Sequence, residues 1–142
     1  VKVRITLPLR TESKLNQHVH WTVRAKATRT ERRATLYALR AALPSVKLTL
    51  VDVMGPIQIV LTRRGPTVGL DLDNLQASFK AVRDGVADWL QIDDGDPRLH
   101  WTYRQGRAAS WAVVIEVQTP SDVTVLDVAD ELLGPAKKKT VA

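Results

Sequence analysis

The sequence contains no cysteine, which excludes disulfides and thiolate metal sites and leaves the fold to stand on burial alone. Long apolar runs are also missing, and no stretch approaches the roughly 18 residues expected of a membrane span. Lys2 and Arg4 interrupt the first residues and no apolar stretch follows them, so no secretory leader is expected and a cytoplasmic location is the default. There is no P-loop, G-x-S-x-G or dinucleotide fingerprint. His18, His20 and His100 stand without zinc-ligand partners at usual spacing. Repeats and low-complexity segments are absent. What remains is a chain of 142 residues, 44% apolar and 25% charged, of the size and composition of one globular domain.

Charge is where the sequence first becomes specific. The net charge is +6, and its distribution is uneven. Lys2, Arg4, Arg10, Lys14, Arg24, Lys26, Arg29, Arg32, Arg33 and Arg40 crowd the first forty residues, opposed only by Glu12 and Glu31. From Asp71 to Asp96 the sign reverses, with Asp71, Asp73, Asp84, Asp88, Asp93, Asp94 and Asp96 against Lys80 and Arg83. A basic surface holds phosphates through counterion release, and an acidic cluster can hold a metal that does chemistry on one of them. The plainer reading is a solvated basic face that aids solubility.

Val1–Leu7 alternates as a half-buried strand and stops at Pro8. An irregular polar stretch follows. Thr28 and Glu31 match a capping box, predicting a helix from there to about Leu43, with Leu36, Leu39 and Leu43 inward and Arg29, Arg32, Arg33 and Arg40 toward solvent. Val46–Met54 and Ile57–Thr62 read as strands split by Gly55-Pro56. Leu75, Phe79, Val82, Val86 and Trp89 form one apolar helical face, in a helix opening near Asn74 or Leu75 and weakened at Gly85. Leu99–Arg104 and Ser110–Val117 read as strands joined by a turn at Gly106, and Val125–Leu133 as a short helix before Gly134-Pro135. The expected architecture is α/β in the α+β sense: one domain over residues 1–134, a mixed sheet with about three helices packed on it, and a disordered tail over 135–142.

Asp71, Asp73 and Asn74 make a D-x-D-N cluster where extended chain meets helix. Residues two apart in extended chain project to one side, so both carboxylates can face one cation. Mg²⁺ prefers such oxygens and keeps several waters, and a helix N-terminus adds positive potential for a phosphate. An Asp or Asn capping the helix explains the same residues without a metal. Downstream, Asp93, Asp94 and Asp96 repel one another, and a bound cation would offset that repulsion. Between the clusters, Lys80 is either a surface partner of Asp84 or a cation directed at a phosphate.

The stretch GLDLDNLQASFKAVRDGVADWLQIDDGDPRLHWTYRQ resembles the core of the RusA-type Holliday junction resolvases, which carry D-x-D-N, then a Lys with an Asp four residues on, then an Asp pair opening the next strand. A strand ending in Leu7-Pro8 and a Ser-x-x-Asn loop at Ser13 and Asn16 extend the likeness from Val1 to Val117, with Asp71–Asp94 its specific part. The resemblance implies a homodimeric enzyme dependent on Mg²⁺ (or Mn²⁺) that cuts four-way DNA junctions. It maps the essential carboxylates onto Asp71, Asp73 and Asp94, with Asp93 the alternative third ligand, and the catalytic lysine onto Lys80. That lysine stands three residues further from Asn74 than in the family pattern, nearly one helical turn.

On this reading Lys14, Arg24, Lys26, Arg29 and Arg33, with Arg63 and Arg64 beside the site, hold the junction arms through sequence-independent contacts. Trp21, flanked by His20 and Arg24, is a further candidate for DNA contact. The rivals are a junction-binding protein that does not cut, and a nuclease for flaps or forks. A helix from Leu75 to Asp88 would span about 21 Å, more than residues 89–92 can retrace at about 13 Å. The two acidic clusters would then meet only across a two-fold dimer with antiparallel helices, or within one chain if the helix ends at Gly85.

Overall fold

The structure, a computed structural model, describes residues 2–12, 21–42, 55–120 and 126–127. Alternating apolar residues produce β1 (Lys2–Leu7), β2 (Ile57–Gly65), β3 (Leu99–Arg107) and β4 (Ala112–Gln118), joined by a two-residue β5 (Leu126–Asp127). They form one mixed sheet in the order β3-β2-β4-β1-β5. β2 runs parallel to β3 and antiparallel to β4, and β1 runs antiparallel to β4 and parallel to β5. Among the described residues three helices pack on it: α1 (Trp21–Ala42), α2 (Leu72–Ser78) and α3 (Lys80–Leu90).

Period-2 alternation decides which face is covered. Val3, Ile5 and Leu7 of β1, Ile57, Ile59 and Leu61 of β2 and Val113, Ile115 and Val117 of β4 are buried in one core cluster. The helices close it with Leu39, Leu75, Phe79, Val82, Val86 and Leu90. This is the expected α+β architecture, and the apolar face read from Leu75 to Trp89 is the one packed inward, with Trp89 half-buried.

Three expectations need correction. α1 begins at Trp21, not Thr28. The residues before Thr28 include Ala, Arg and Lys and no Gly or Pro, so helix continues through them at little cost. The covered side of α1, running through Thr28, Glu31, buried Thr35 and buried Leu39, is too polar to announce itself by hydrophobic period, and Leu36 is only half-buried. Second, Gly106 lies inside β3, which reaches Arg107. Third, Leu126–Asp127 pairs with β1 as strand where a helix from Val125 was expected; the rest of that helix, the Val46–Met54 strand, Leu43 and the 135–142 tail lie outside the described residues.

The second helical region is interrupted at Phe79, not at Gly85. The Ser78 hydroxyl donates to the Leu75 carbonyl at 2.6 Å, competing for the acceptor that Phe79 N–H would use in a continuous helix. Phe79 N–H turns instead to Gln76 O at 3.1 Å. The displaced Phe79 ring is fully buried and stacks on Tyr103 at 5.8 Å. Gly85 sits within α3, where a Cβ would lie 2.7 Å from Thr35 Cβ and 2.8 Å from Arg32 O of α1. Its lack of a side chain permits the close α1–α3 packing.

Candidate functional site

Asp71 is the N-cap of α2. Its Oδ1 accepts from Asn74 N at 2.9 Å and from Asn74 Nδ2 at 3.0 Å, so the aspartate satisfies a backbone donor at the helix start. The helix therefore opens at Leu72, two or three residues before its expected start. Asp73 lies in the first turn, exposed and without an ion pair or hydrogen bond to any described residue. The approach to Asp71 is fixed through backbone. Gly69 adopts φ +133°, which suits glycine. Gln105 of β3 accepts from Gly69 N at 3.2 Å and Leu70 N at 3.3 Å, and donates to Leu70 O at 2.7 Å.

The second acidic cluster is held through side chains and main chain together. Arg83 of α3 donates to Asp94 Oδ2 at 3.0 Å and Asp94 O at 3.0 Å, and to the Tyr103 hydroxyl at 2.7 Å. Its guanidinium lies 4.8 Å from the centre of the Trp101 ring, and Trp101 Nε1 donates to Asp94 O at 3.0 Å. Asp96 pairs with Arg98 at 2.8 Å, whose side-chain and backbone hydrogen bonds hold its carboxyl at about 2. Asp93 is exposed and accepts from Gly95 N at 3.3 Å. The repulsion expected among these three carboxylates is thus relieved at two of them by arginines of the chain itself.

Both clusters hang from one strand. Trp101, Tyr103 and Gln105 alternate along β3, paired with Ile59, Leu61 and Arg63 of β2, and so share the helix-covered face. Trp101 and Tyr103 fix the Asp94 corner and Gln105 fixes the Asp71 loop, about 13 Å apart along the strand. Among the described residues no three His, Cys, Asp or Glu side chains are grouped so as to hold a metal ion. The early break at Phe79 does not bring the three mapped carboxylates together within the chain. The extended geometry expected to turn both carboxylates to one side does not form, because Asp73 already lies in α2, where residues two apart do not face each other. A hard divalent cation would find there the exposed Asp73 and the second oxygen of Asp71. Asp71 bonds to described residues through Oδ1 only, and Mg²⁺ commonly takes one or two carboxylates with waters and phosphate oxygens.

The basic residues do not form one surface. Lys80 is 73% exposed and stands 3.7 Å from Asp84, a weak surface pair. Lys80 and Arg24 border the same groove between α1 and the α2–α3 junction, with Thr28, Glu31, Ala77 and Ser78. That places Lys80 about one α2 length, some 10 Å, from the Asp71 end. Arg63 is not available to DNA as expected. It is 7% exposed, donates to Thr11 O at 3.1 Å and Thr67 O at 3.4 Å, and lies against the Trp111 ring at 4.5 Å; burial lowers its pKa. The alternation that turns Arg63 inward turns half-buried Arg64 to the opposite face, away from the helix layer. Lys26, Arg29 and Arg33 are exposed on α1, whereas Lys14, His18 and His20 lie outside the described residues.

Sequence reasoning missed Arg83, Gln105 and the Trp101–Tyr103 pair. The signal available was Trp101 and Tyr103 on one face of the expected Leu99–Arg104 strand, with Gln105 just past its end and an arginine one turn along from Lys80. No family model matches the chain. A curated Xylella fastidiosa protein, described only as uncharacterized, is 42% identical over 81 residues. The match covers 56% of this chain and 51% of that relative, so the chain spans about half the length of the protein it matches. No described helix is long and apolar enough to cross a membrane.

Proposed function

We propose that this chain is a metal-dependent endonuclease for branched DNA, of the Holliday junction resolvase type seen in the RusA-like enzymes, acting as a cytoplasmic homodimer in recombination and repair. The observation that carries the reading is the pair Asp71 and Asp73, one capping α2 and the other exposed in its first turn, on a loop that Gln105 clamps from β3. Asp71 and Asp73 would hold a divalent cation such as Mg²⁺, or Mn²⁺, which when bound would supply charge stabilisation for phosphodiester hydrolysis. Asp71 and Asp73 would approach the phosphate from the start of α2, while Gln105 holds the Gly69–Leu70 backbone that leads into it. Lys80 and Arg24 supply positive charge to the DNA backbone beside them.

Asp94, or its neighbour Asp93, completes the carboxylate set from a second copy of the chain. A two-fold axis would also place two cuts symmetrically on a four-armed substrate. The test is incubation with a synthetic mobile four-way junction, with and without Mg²⁺, beside duplex, flap and fork controls. Mg²⁺-dependent paired nicks on the junction support the reading; cutting confined to flaps or forks redirects it to those substrates. Mixing inactive Asp73→Asn and Asp94→Asn chains addresses sharing: heterodimers recover one intact cluster and nick the junction, and confirmed heterodimers without activity would count against a shared site.

The second reading is a junction-binding protein without catalysis. The separation of the Asp71 and Asp94 clusters among the described residues favours it. Tight junction binding with no cleavage under any divalent cation would establish it over the first.

A further inference from the structure

α1 presents a face that the carboxylate site does not use. At about 100° per residue, Lys26, Arg29, Arg33, Tyr37 and Arg40 fall within an arc of about 80°. All five are exposed, on the side of the helix opposite buried Thr35. None of the four cations has an ion-pair partner among the described residues. Arg32, flanking the arc, is bound to Asp88 through two hydrogen bonds of 2.6 and 2.7 Å. Tyr37 is 60% exposed, a large ring left in water amid positive charge.

Arg29, Arg32, Arg33, Leu36, Tyr37 and Asp88 line a depression of about 350 Å³ between α1 and the end of α3. Its chemistry narrows the occupant. A track for duplex phosphates needs cations and no aromatic ring. An apolar protein contact would not be bordered by the guanidiniums of Arg29 and Arg33, which have no ion-pair partner among the described residues. A nucleotide uses both: its phosphate takes charge-assisted hydrogen bonds from arginine, and its base has a π-face that stacks on an aromatic side chain. Bases within a duplex are already stacked on both sides, so only an unpaired one can use the ring.

We infer that this depression binds an unpaired nucleotide of a DNA strand, with the base on Tyr37 and its phosphates on Arg29 and Arg33. Arg40 follows the backbone one turn further on. The choice of DNA rests on the proposed function; the binding itself requires no cleavage. An unpaired nucleotide is what a branch point or a frayed arm offers and an intact duplex lacks.

The test is fluorescence anisotropy without divalent cation, using a labelled oligothymidylate, an abasic strand of equal length and a duplex of equal length. Tyr37→Ala weakens binding of the oligothymidylate roughly 10-fold or more, the scale of one lost base stack, and changes the abasic strand and the duplex less than about twofold. Tyr37→Phe keeps wild-type affinity, because stacking needs the ring and not the hydroxyl. Arg33→Ala weakens all three ligands and lowers the salt slope by about 0.7 to 0.9. Equal losses for Tyr37→Ala on all three ligands, no loss on any, or no wild-type binding of the oligothymidylate overturns the inference. Thermal melts by circular dichroism confirm that each variant is folded. Junction cleavage with Mg²⁺ is measured in parallel. Tyr37-dependent strand binding without cleavage removes the nuclease reading and leaves this site, whereas cleavage with Tyr37-independent binding does the reverse.

Discussion

At the start of α2 the protein grips backbone and leaves Asp73 and one oxygen of Asp71 without a described partner, whereas at the Asp94 corner it grips the carboxylate itself. Gln105 holds Gly69 and Leu70 through three main-chain hydrogen bonds, and Asp73 points to no described partner. Arg83 holds Asp94 by side chain and main chain together. The difference teaches that equal numbers of acidic residues do not make equal sites. A carboxylate without a cation of its own is available to a metal, while one already bonded to a guanidinium must give up that bond or act through it.

The sharpest break in the comparison is at the carboxylates. Asp71→Asn and Asp73→Asn are expected to reduce junction cleavage by roughly 1,000-fold or more, equivalent to several kcal/mol of lost charge stabilisation. Binding measured by gel shift should hold or tighten, since negative charge near phosphate is removed. Asn caps helices as well as Asp does, so Asp71→Asn should melt within a few degrees of wild type. Asp94→Asn should abolish cleavage similarly if it joins the metal set, and wild-type rates in that variant would reduce the corner to a structural role.

Next in size is Arg83→Ala. Loss of the hydrogen bonds to Asp94 and Tyr103 should cost about 2 kcal/mol by urea denaturation and, if Asp94 acts in catalysis, 10- to 100-fold in rate. Arg83→Lys cannot reproduce the forked geometry and should recover only part of either effect. Gln105→Ala should cost about 1 kcal/mol while lowering cleavage on the same 10- to 100-fold scale, because its target is the backbone beside Asp71. If Gln105→Ala and Arg83→Ala alter rate equally but only one alters stability, the two clusters differ in support and not in use.

The smallest expected effect lies outside both clusters and calibrates them. Arg32 hydrogen-bonds Asp88 and holds its carboxyl below the usual aspartate range. A depressed native pKa contributes stability that is present above the unfolded value, near 3.9, and is lost as pH falls through the native one. Asp88→Asn should therefore cost on the order of 1 kcal/mol at neutral pH, as for a well-formed surface pair. The difference from wild type should vanish in acid, checked by denaturation at two pH values.

Much of this protein was decided by the chain's own pattern. Alternation in Val1–Leu7, Ile57–Thr62, Leu99–Arg104 and Ser110–Val117, and the 3–4 spacing from Leu75 to Trp89, specify strands and a helical face because one side of each must leave water. The absence of cysteine removed disulfides, and the charge reversal between the first forty residues and Asp71–Asp96 marked where to look for chemistry. What neighbours decided was different in kind. Thr28 and Glu31 read as a cap because the inward side of α1 is polar, and only packing against α3 shows that the helix runs through them. Gly85 read as a weak point because nothing in its own segment reveals Thr35 across the helix contact. Arg63 and Arg64 are adjacent cations in sequence, yet strand alternation buries one against Trp111 and turns the other to the far face. The residues around Arg83 and Gln105 do not reveal what they bind, since their partners Asp94 and Leu70 lie 11 and 35 residues away. Local periodicity is written in adjacent residues, whereas the closing of a guanidinium on a distant carboxylate depends on which strand comes to lie beside which helix.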